Sequence, residues 1–133
     1  MRFFLFFLFF LVGCSSVQKD IYVNNLKKNS IKIVSFKNYS QTPYADKKAI
    51  SILKGVLRSK GFKVEDKDAN YFLYGKVIEW RYKVGIDGEP AVSLYIEIKD
   101  KNGSIVYSGV ASKSDWGNKS LGTCAQELME DIF

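Results

Sequence analysis

Apolar residues recur with the period of a strand in some parts of the chain and with the period of a helix in others. The β-branched run at residues 31–36 predicts a strand. Thr42 and Pro43 predict the start of a helix, because threonine caps the free N–H groups of a first turn and proline needs no hydrogen-bond partner there. Lys60 and Gly61 predict its end. The buried stripe expected on this helix consists of Ala49, Ile52, Leu53, Val56 and Leu57.

The middle of the chain has the period-two alternation that is typical of β-strands. A short strand is predicted at residues 62–64 and a long one at residues 70–84, whose second half alternates apolar with charged residues. The strand predicted at residues 91–99 alternates cleanly. The Asn102-Gly103 pair then predicts a tight turn into a last strand at residues 104–112.

Matching the apolar faces of the two long strands sets the register expected between them, because a slip of one residue would expose one apolar set to water. This match requires a loop of odd length around Asp87-Gly88-Glu89. The expected pairs are Val84 with Val92, Tyr82 with Leu94, and Trp80 with Ile96.

A closing helix is predicted from Asn118 or Ser120, with its apolar residues again on one face. Cys124 lies on that face, so we expect a small core residue there and not a redox thiol. The whole order predicts an α+β fold, a two-layer sandwich in which a mostly antiparallel sheet of four to five strands carries two helices on one face. The apolar stripe of the closing helix comprises Leu121, Cys124, Ala125, Leu128 and Ile132.

The N-terminus has the layout of a secretory signal peptide. The apolar run at residues 3–12 follows Met1-Arg2 and would span about 15 Å as a helix, half the hydrocarbon core of a bilayer. It is therefore too short for a stable transmembrane helix and is typical of a signal sequence. Residues 11–14, Leu-Val-Gly-Cys, resemble the lipobox of bacterial lipoproteins. That resemblance implies a diacylglycerol on Cys14, and the alternative is an ordinary secretion signal in which Cys14 is incidental.

These observations divide the chain into a lipoprotein signal peptide at residues 1–13, a lipid-anchored tether at 14–30 and the α+β domain at 31–133. Two or more acyl chains, such as palmitate, hold a protein stably on a membrane, whereas one chain does not. Because Ser15 follows the cysteine, the resemblance implies the outer membrane, with the domain facing the periplasm. In an organism with one membrane, the outer surface of that membrane takes its place.

Composition excludes the commonest catalytic chemistries. The 133 residues include 20 Lys and Arg, 14 Asp and Glu, and no histidine, which is the commonest general base and metal ligand at neutral pH. Ser51 and Lys54 form a Ser-x-x-Lys motif, which resembles the nucleophile motif of penicillin-binding proteins. The predicted helix directs both side chains into water, where a lysine cannot act as the base that activates the serine. We therefore expect no enzymatic activity, no cofactor and no metal. The excess of lysine either reflects the general composition of a chain rich in Lys, Asn, Ile and Phe or suits anionic partners such as glycolipids and the cell-wall polymer peptidoglycan. No nucleic acid is expected.

Three segments of the domain carry a family resemblance. They are residues 33–40 (Ile-Val-Ser-Phe-Lys-Asn-Tyr-Ser), 57–64 and 69–77. This pattern resembles the small α/β domain shared by the CsgG-like curli-secretion lipoproteins and the lipoprotein activators of penicillin-binding proteins. The resemblance implies a non-catalytic, membrane-anchored adaptor or assembly factor that contacts another envelope protein. The architecture also resembles the lipopolysaccharide-assembly lipoprotein, which implies the alternative, a binder of anionic glycolipid or cell-wall polymer.

The face of the sheet away from the helices is the candidate partner-binding site, because exposed Tyr and Arg are favoured anchors of interfaces. The strand phases place Tyr107 beside Glu97 and Gly109 opposite Tyr95. Alternatively, residues 21–23 fold back and cover this face, or they add a short strand at the edge of the sheet. The residues expected beneath the helices are Ile78, Trp80, Tyr82, Val92, Leu94 and Ile96. The residues expected on the opposite, partner-binding face are Tyr71, Leu73, Val77, Arg81, Tyr95 and Tyr107.

Overall fold

A computed structural model describes residues 15–23, 26–82, 89–115 and 120–133, with the backbone alone at 15–23 and at Asp115. It confirms the predicted α+β fold, a mostly antiparallel sheet with two helices packed on one of its faces. The strands lie in the order β1-β6-β5-β4-β2-β3. The elements are β1 (Ser15–Val23), β2 (Ser30–Asn38), α1 (Ala45–Ser59), β3 (Lys63–Val64), β4 (Tyr71–Tyr82), β5 (Pro90–Asp100), β6 (Ile105–Asp115) and α2 (Leu121–Ile132).

Strand β1 corrects the predicted tether. Residues 15–23 pair antiparallel with nine of the 11 residues of β6, from Ser15 opposite Asp115 to Val23 opposite Tyr107. This pairing satisfies backbone N–H and C=O groups of β6 that would otherwise form an open edge. Residues 21–23 therefore extend the sheet at its edge and do not fold back over its face. The predicted signal peptide and Cys14 lie outside the described residues. Among the helices that the structure describes, none is long and apolar enough to span a membrane.

Helix α1 lies between two parallel strands, β2 and β4, in the sequence. Its start differs from the sequence prediction, whereas its end agrees with it. It begins at Ala45 instead of Pro43, because the Thr42 hydroxyl donates to the carbonyl of Trp80 and does not cap the helix. Tyr44 takes the N-cap position in the left-handed region at φ 62°. The predicted C-terminus is confirmed, since Gly61 adopts φ 95° beyond the last turn.

A β-bulge in β4 overturns the predicted register with β5. Val77 pairs with Leu94, the register then shifts, and Trp80 pairs with Val92. The extra residue changes the phase of alternation along the strand. The expected pairs Trp80 with Ile96 and Tyr82 with Leu94 are therefore wrong, while Val84 lies outside the described residues. Two side chains expected in the core are exposed instead, Ile78 at 45% and Tyr82 at 52%.

A second register shift, between Ile98 and Lys99, moves Tyr107 to the helix-covered face. Tyr107 pairs with Ile98 and not with Glu97, and its ring stacks on that of Phe133 at 5.8 Å between centroids. Gly109 pairs with Ile96 instead of Tyr95. Burial raises the pKa of Tyr107 to about 12.

The core lies between the sheet and the two helices. Ser120 is the N-cap of helix α2, and its Oγ accepts a hydrogen bond from the N–H of Thr123 at 3.1 Å. Of the two predicted starts, Asn118 and Ser120, the structure confirms Ser120. Cys124 is fully buried, as predicted. The ring of Phe36 lies over Gly75 so closely that any Cβ at this position would meet a ring carbon at 2.1 Å. The largest fully buried side chains include Trp80, Tyr107, Ile31, Leu53, Leu57, Leu73, Leu94, Ile96, Ile98, Leu128 and Met129.

Candidate functional site

The sheet face that the helices leave uncovered is called the open face here. The pairings of β2, β4, β5 and β6 arrange its side chains in rows that cross the strands. One row runs Ser35, Tyr74, Glu97, Ser108, and the next runs Lys37, Lys76, Tyr95, Val110. The other residues of the open face are Lys32, Phe72, Lys99, Glu79, Arg81, Ser93, Ser112 and Ser114.

Lysines and tyrosines of neighbouring strands contact one another on this face. The Nζ of Lys76 lies 5.3 Å from the centre of the Tyr95 ring and 5.8 Å from that of the Tyr39 ring. The Nζ of Lys99 lies 5.5 Å from the centre of the Tyr74 ring. Each ammonium is attracted by the negative face of its ring. These contacts favour conformations in which the two long lysine side chains lie over the sheet.

Strand β5 adds a hydrogen-bonded chain of three side chains. The hydroxyl of Tyr95 donates to Oε2 of Glu97 at 2.7 Å, and Oε1 of the same carboxylate lies 3.4 Å from Nζ of Lys99. The hydrogen bond to Glu97 raises the pKa of Tyr95, because an ionised phenol could not donate to a carboxylate. Tyr95 therefore stays neutral. The carboxylate of Glu97 offsets the positive charge of Lys99, whereas the contacts described for Lys76 are with aromatic rings.

Hydroxyl groups line the part of the open face nearest to β1. Ser108, Ser112 and Ser114 follow one another along β6, and Ser93 of β5 forms a hydrogen bond with Ser112 at 2.7 Å between the two Oγ atoms. Beside them, a shallow depression of about 230 Å³ lies between Lys37, Tyr74, Lys76, Tyr95 and Lys99. The open face thus combines cations, aromatic rings and hydroxyls.

Three of the five predicted partner-binding residues lie elsewhere. Tyr71, Val77 and Tyr107 are buried beneath the helices, because the two register shifts reverse the phase of their strands. Their predicted place on the open face is wrong, as it is for Leu73. Tyr95 and Arg81 are on the open face as predicted, with the Arg81 Nε 3.9 Å from the Glu79 carboxylate.

The sequence pattern places Glu79, Glu97 and Lys99 at the charged border of this face, and the structure confirms that position. It does not reveal Tyr39, Tyr74 and Lys76, which form the rest of the site. A signal for them exists in the spacing, since Tyr74 and Lys76, like Tyr95, Glu97 and Lys99, are separated by two and so share a face within their strand. Placing Tyr74 and Lys76 beside Tyr95 required the position of the bulge in β4.

A second depression, of about 440 Å³, adjoins the open face where β4 ends. Its wall is the loop after β2, fixed by a 2.8 Å hydrogen bond from Nδ2 of Asn38 to the Thr42 carbonyl. Ile78, Glu79 and Arg81 line its other side. In the part of the chain that the structure describes, no three His, Cys, Asp or Glu side chains are grouped as a metal site would need.

Comparison with known proteins gives matches among solved structures. No family model matches the chain, and neither does any curated protein. PelC from Paraburkholderia phytofirmans, solved as a dodecamer, is 33% identical with a TM-score of 0.76, over 88% of this chain and 95% of that one. A single-substitution variant of that PelC, also a dodecamer, is 32% identical over the same shares, with a TM-score of 0.72.

A more distant likeness concerns the fold. Lipoprotein GNA1162 from Neisseria meningitidis is 17% identical, with a TM-score of 0.59 over 80% of this chain and 98% of that one. These neighbours support the expected class, bacterial lipoproteins of this fold, and do not show the CsgG-like or activator families. Identity of one third over nearly the whole of both chains establishes a closer relationship, and the protein belongs to the PelC family.

Proposed function

We propose that this protein is a non-catalytic lipoprotein of the outer membrane that is anchored through Cys14 and works as a ring-shaped scaffold built from copies of itself. The observation that carries this proposal is its 33% identity to PelC, which is solved as a dodecamer. The lipobox-like residues 11–14 and the fold shared with the Neisseria lipoprotein support the anchor. The earlier hypothesis of an adaptor thus becomes one in which the first protein partner is a second copy of the chain.

The two edges of the sheet suit such self-assembly. Strand β3 pairs only with Ser30 and Ile31, so among the described strands none covers the outer edge of β2 from residue 32 to 38, and none covers the outer edge of β1. The pairings make β1 run opposite to β2. The β1 edge of one copy therefore has the direction needed to pair antiparallel with the β2 edge of the next. A contact between two different surfaces closes into a ring when the rotation between copies permits.

The anchor is tested by comparing the two cysteines. We expect Cys14→Ser to release the protein from the membrane fraction or to leave it uncleaved, with the fold intact. Cys124→Ala is the matched control, since it removes the other sulfur from a buried position and leaves the anchor alone. Partitioning into detergent is the measurement. Unchanged partitioning of Cys14→Ser would contradict the lipid anchor.

The assembly is tested by native mass spectrometry of the detergent-solubilised full chain. We expect a closed oligomer, with twelve copies as in PelC from Paraburkholderia phytofirmans. A monomer at all concentrations up to the micromolar range would contradict the scaffold. An open series of sizes without a dominant species would contradict a ring, because a closed symmetric assembly has one defined number of subunits.

A further inference from the structure

We propose that the open face binds peptidoglycan, through the carboxylates of its peptide stems and the sugar rings of its glycan. The inference rests on the proposed function for the location, because only an envelope protein that faces the periplasm meets this polymer. The residues that carry it are Lys76 with Tyr95 and Tyr39, and Lys99 with Tyr74. Each feature of the face fits one chemical group of the polymer.

Charge is the first feature. The open face carries Lys32, Lys37, Lys76, Arg81 and Lys99, against the two carboxylates of Glu79 and Glu97. Those carboxylates lie beside Arg81 and Lys99, at 3.9 and 3.4 Å. Lys37 and Lys76 sit opposite each other on β2 and β4, and the contacts described for Lys76 are with rings. The face therefore keeps positive charge at its centre, which complements an anionic polymer.

Preorganisation is the second feature. A free lysine loses rotamer freedom when it binds an anion, which weakens the net affinity. The Tyr39 and Tyr95 rings already hold the ammonium of Lys76, at 5.8 and 5.3 Å, so much of that loss has occurred before a ligand arrives. The bond from Tyr95 to Glu97 in turn holds the Tyr95 ring. The cluster thus presents a fixed cation, as a binding site for carboxylates requires.

Shape and hydroxyl groups are the third feature. The face extends across four strands, and its depression of about 230 Å³ is smaller than the pockets that usually enclose small ligands, so an extended polymer fits better than a compact ligand. Ser93, Ser108, Ser112 and Ser114 offer hydroxyls that donate and accept, as the hydroxyls of sugars do. Surfaces that dock on a bilayer insert large apolar side chains beside their cations. The rings in contact with the lysines are tyrosines, whereas Phe72, Ile105 and Val110 give the same face apolar side chains, so anionic vesicles are a necessary comparison in the test.

The test compares two lysines that differ in position and share their local chemistry. Lys76 lies on the open face, whereas Lys47 lies on α1, where its Nζ is 5.2 Å from the centre of the Tyr44 ring. Lys76→Glu and Lys47→Glu each change the net charge by the same amount and remove cation-ring contacts. Binding of the full, solubilised chain to purified peptidoglycan sacculi is measured by co-sedimentation. Sacculi whose carboxylates have been amidated are measured in parallel.

We expect Lys76→Glu to weaken binding at least about tenfold and Lys47→Glu to stay within about twofold of the unsubstituted protein. Amidated sacculi should not bind the unsubstituted protein. Equal losses for both variants would overturn the proposal, since bulk charge would then explain the binding. No sedimentation of the unsubstituted chain would overturn it as well. So would equal binding to vesicles of anionic lipid. Should Lys76→Glu melt at a lower temperature, Lys76→Gln gives the same comparison without an added charge.

Native mass spectrometry of the same samples separates this inference from the proposed scaffold. A closed oligomer that does not bind sacculi contradicts the inference and leaves the scaffold standing. A monomer that binds sacculi, and loses that binding in Lys76→Glu but not in Lys47→Glu, contradicts the scaffold and supports the open face as the site. Loss of binding by Lys76→Glu within an intact oligomer supports both.

Discussion

The two faces of the sheet use the same strands for opposite purposes. On the covered face, Leu73, Val77, Leu94 and Ile96 are at most 1% exposed and pack beneath the helices. On the open face, the side chains that alternate with them are mostly tyrosines, lysines, glutamates and serines, with Phe72 and Val110 among them, and many of these side chains contact one another. Hydrophobic burial supplies the stability of one face, whereas contacts worth little to stability make up the other. A face that contributes little to folding is free to be specialised for binding.

The largest effect is expected on the covered face. Leu94 lies in β5 at 1% exposure, so Leu94→Ala removes buried methyl groups and leaves a cavity. We expect the free energy of unfolding to fall by about 2–5 kcal/mol, measured by urea denaturation. Val110→Ala is the control on the open face, where Val110 is 40% exposed, and its effect should stay under about 0.5 kcal/mol. Similar losses for both would show that the two faces do not differ in packing.

Alkaline pH should act through a buried residue of the covered face. The pKa of Tyr107 is raised by burial to about 12 in the folded protein and is near 10 in an unfolded chain. Between these values the unfolded state loses the proton first, so the free energy of unfolding falls as the pH rises, by a total on the order of 2–3 kcal/mol. Below pH 10 this contribution is constant. Tyr107→Phe should flatten the difference in stability between pH 10 and 12, and an identical slope in both proteins would contradict the burial of this phenol.

The contact between Gly75 and Phe36 gives an effect of intermediate size. Gly75→Ala places a methyl group against the Phe36 ring and should lower the free energy of unfolding by about 1–3 kcal/mol. Gly55→Ala is the matched control, because nothing lies within 4 Å of a Cβ at this exposed site in α1. It should stabilise the protein by about 0.5–1 kcal/mol. Phe36→Leu combined with Gly75→Ala should recover part of the loss, and additive losses would contradict the clash.

Local signals in the sequence predict the helices and their ends. The helical spacing of Leu53, Val56 and Leu57, the glycine at residue 61 and the cap at Ser120 each act within one or two turns. The structure confirms all of these features. The exception at Thr42 has a tertiary cause, since its hydroxyl is held by the carbonyl of Trp80, 38 residues away in the sequence.

The assignment of side chains to the two faces of the sheet cannot be predicted from local signals as the helices can. A bulge changes which residues of a strand face the helices, and its position is set by contacts between elements that are distant in the sequence. Alternation along β4 continues from Tyr71 to Val77, then skips one residue so that Trp80 can lie beneath the helices. Pattern matching that assumes one phase places Tyr71, Val77 and Tyr107 on the wrong face. It also assigns Tyr74 and Lys76 to no site. The composition of the candidate site is therefore in the sequence, and its assembly depends on the bulges.

The smallest effect on stability and the largest on binding are expected together, in the double variant Lys76→Ala with Tyr95→Ala. The claim that one face supplies stability and the other supplies binding is tested most directly by a paired measurement on this variant. Its melting temperature and its affinity for peptidoglycan are determined on the same preparation. Exposed cation-ring contacts contribute about 0.5–1 kcal/mol each, so we expect the melting temperature to fall by less than about 5 °C. Affinity should fall at least about tenfold. An unchanged affinity, or a loss of stability as large as that of Leu94→Ala, would contradict the account.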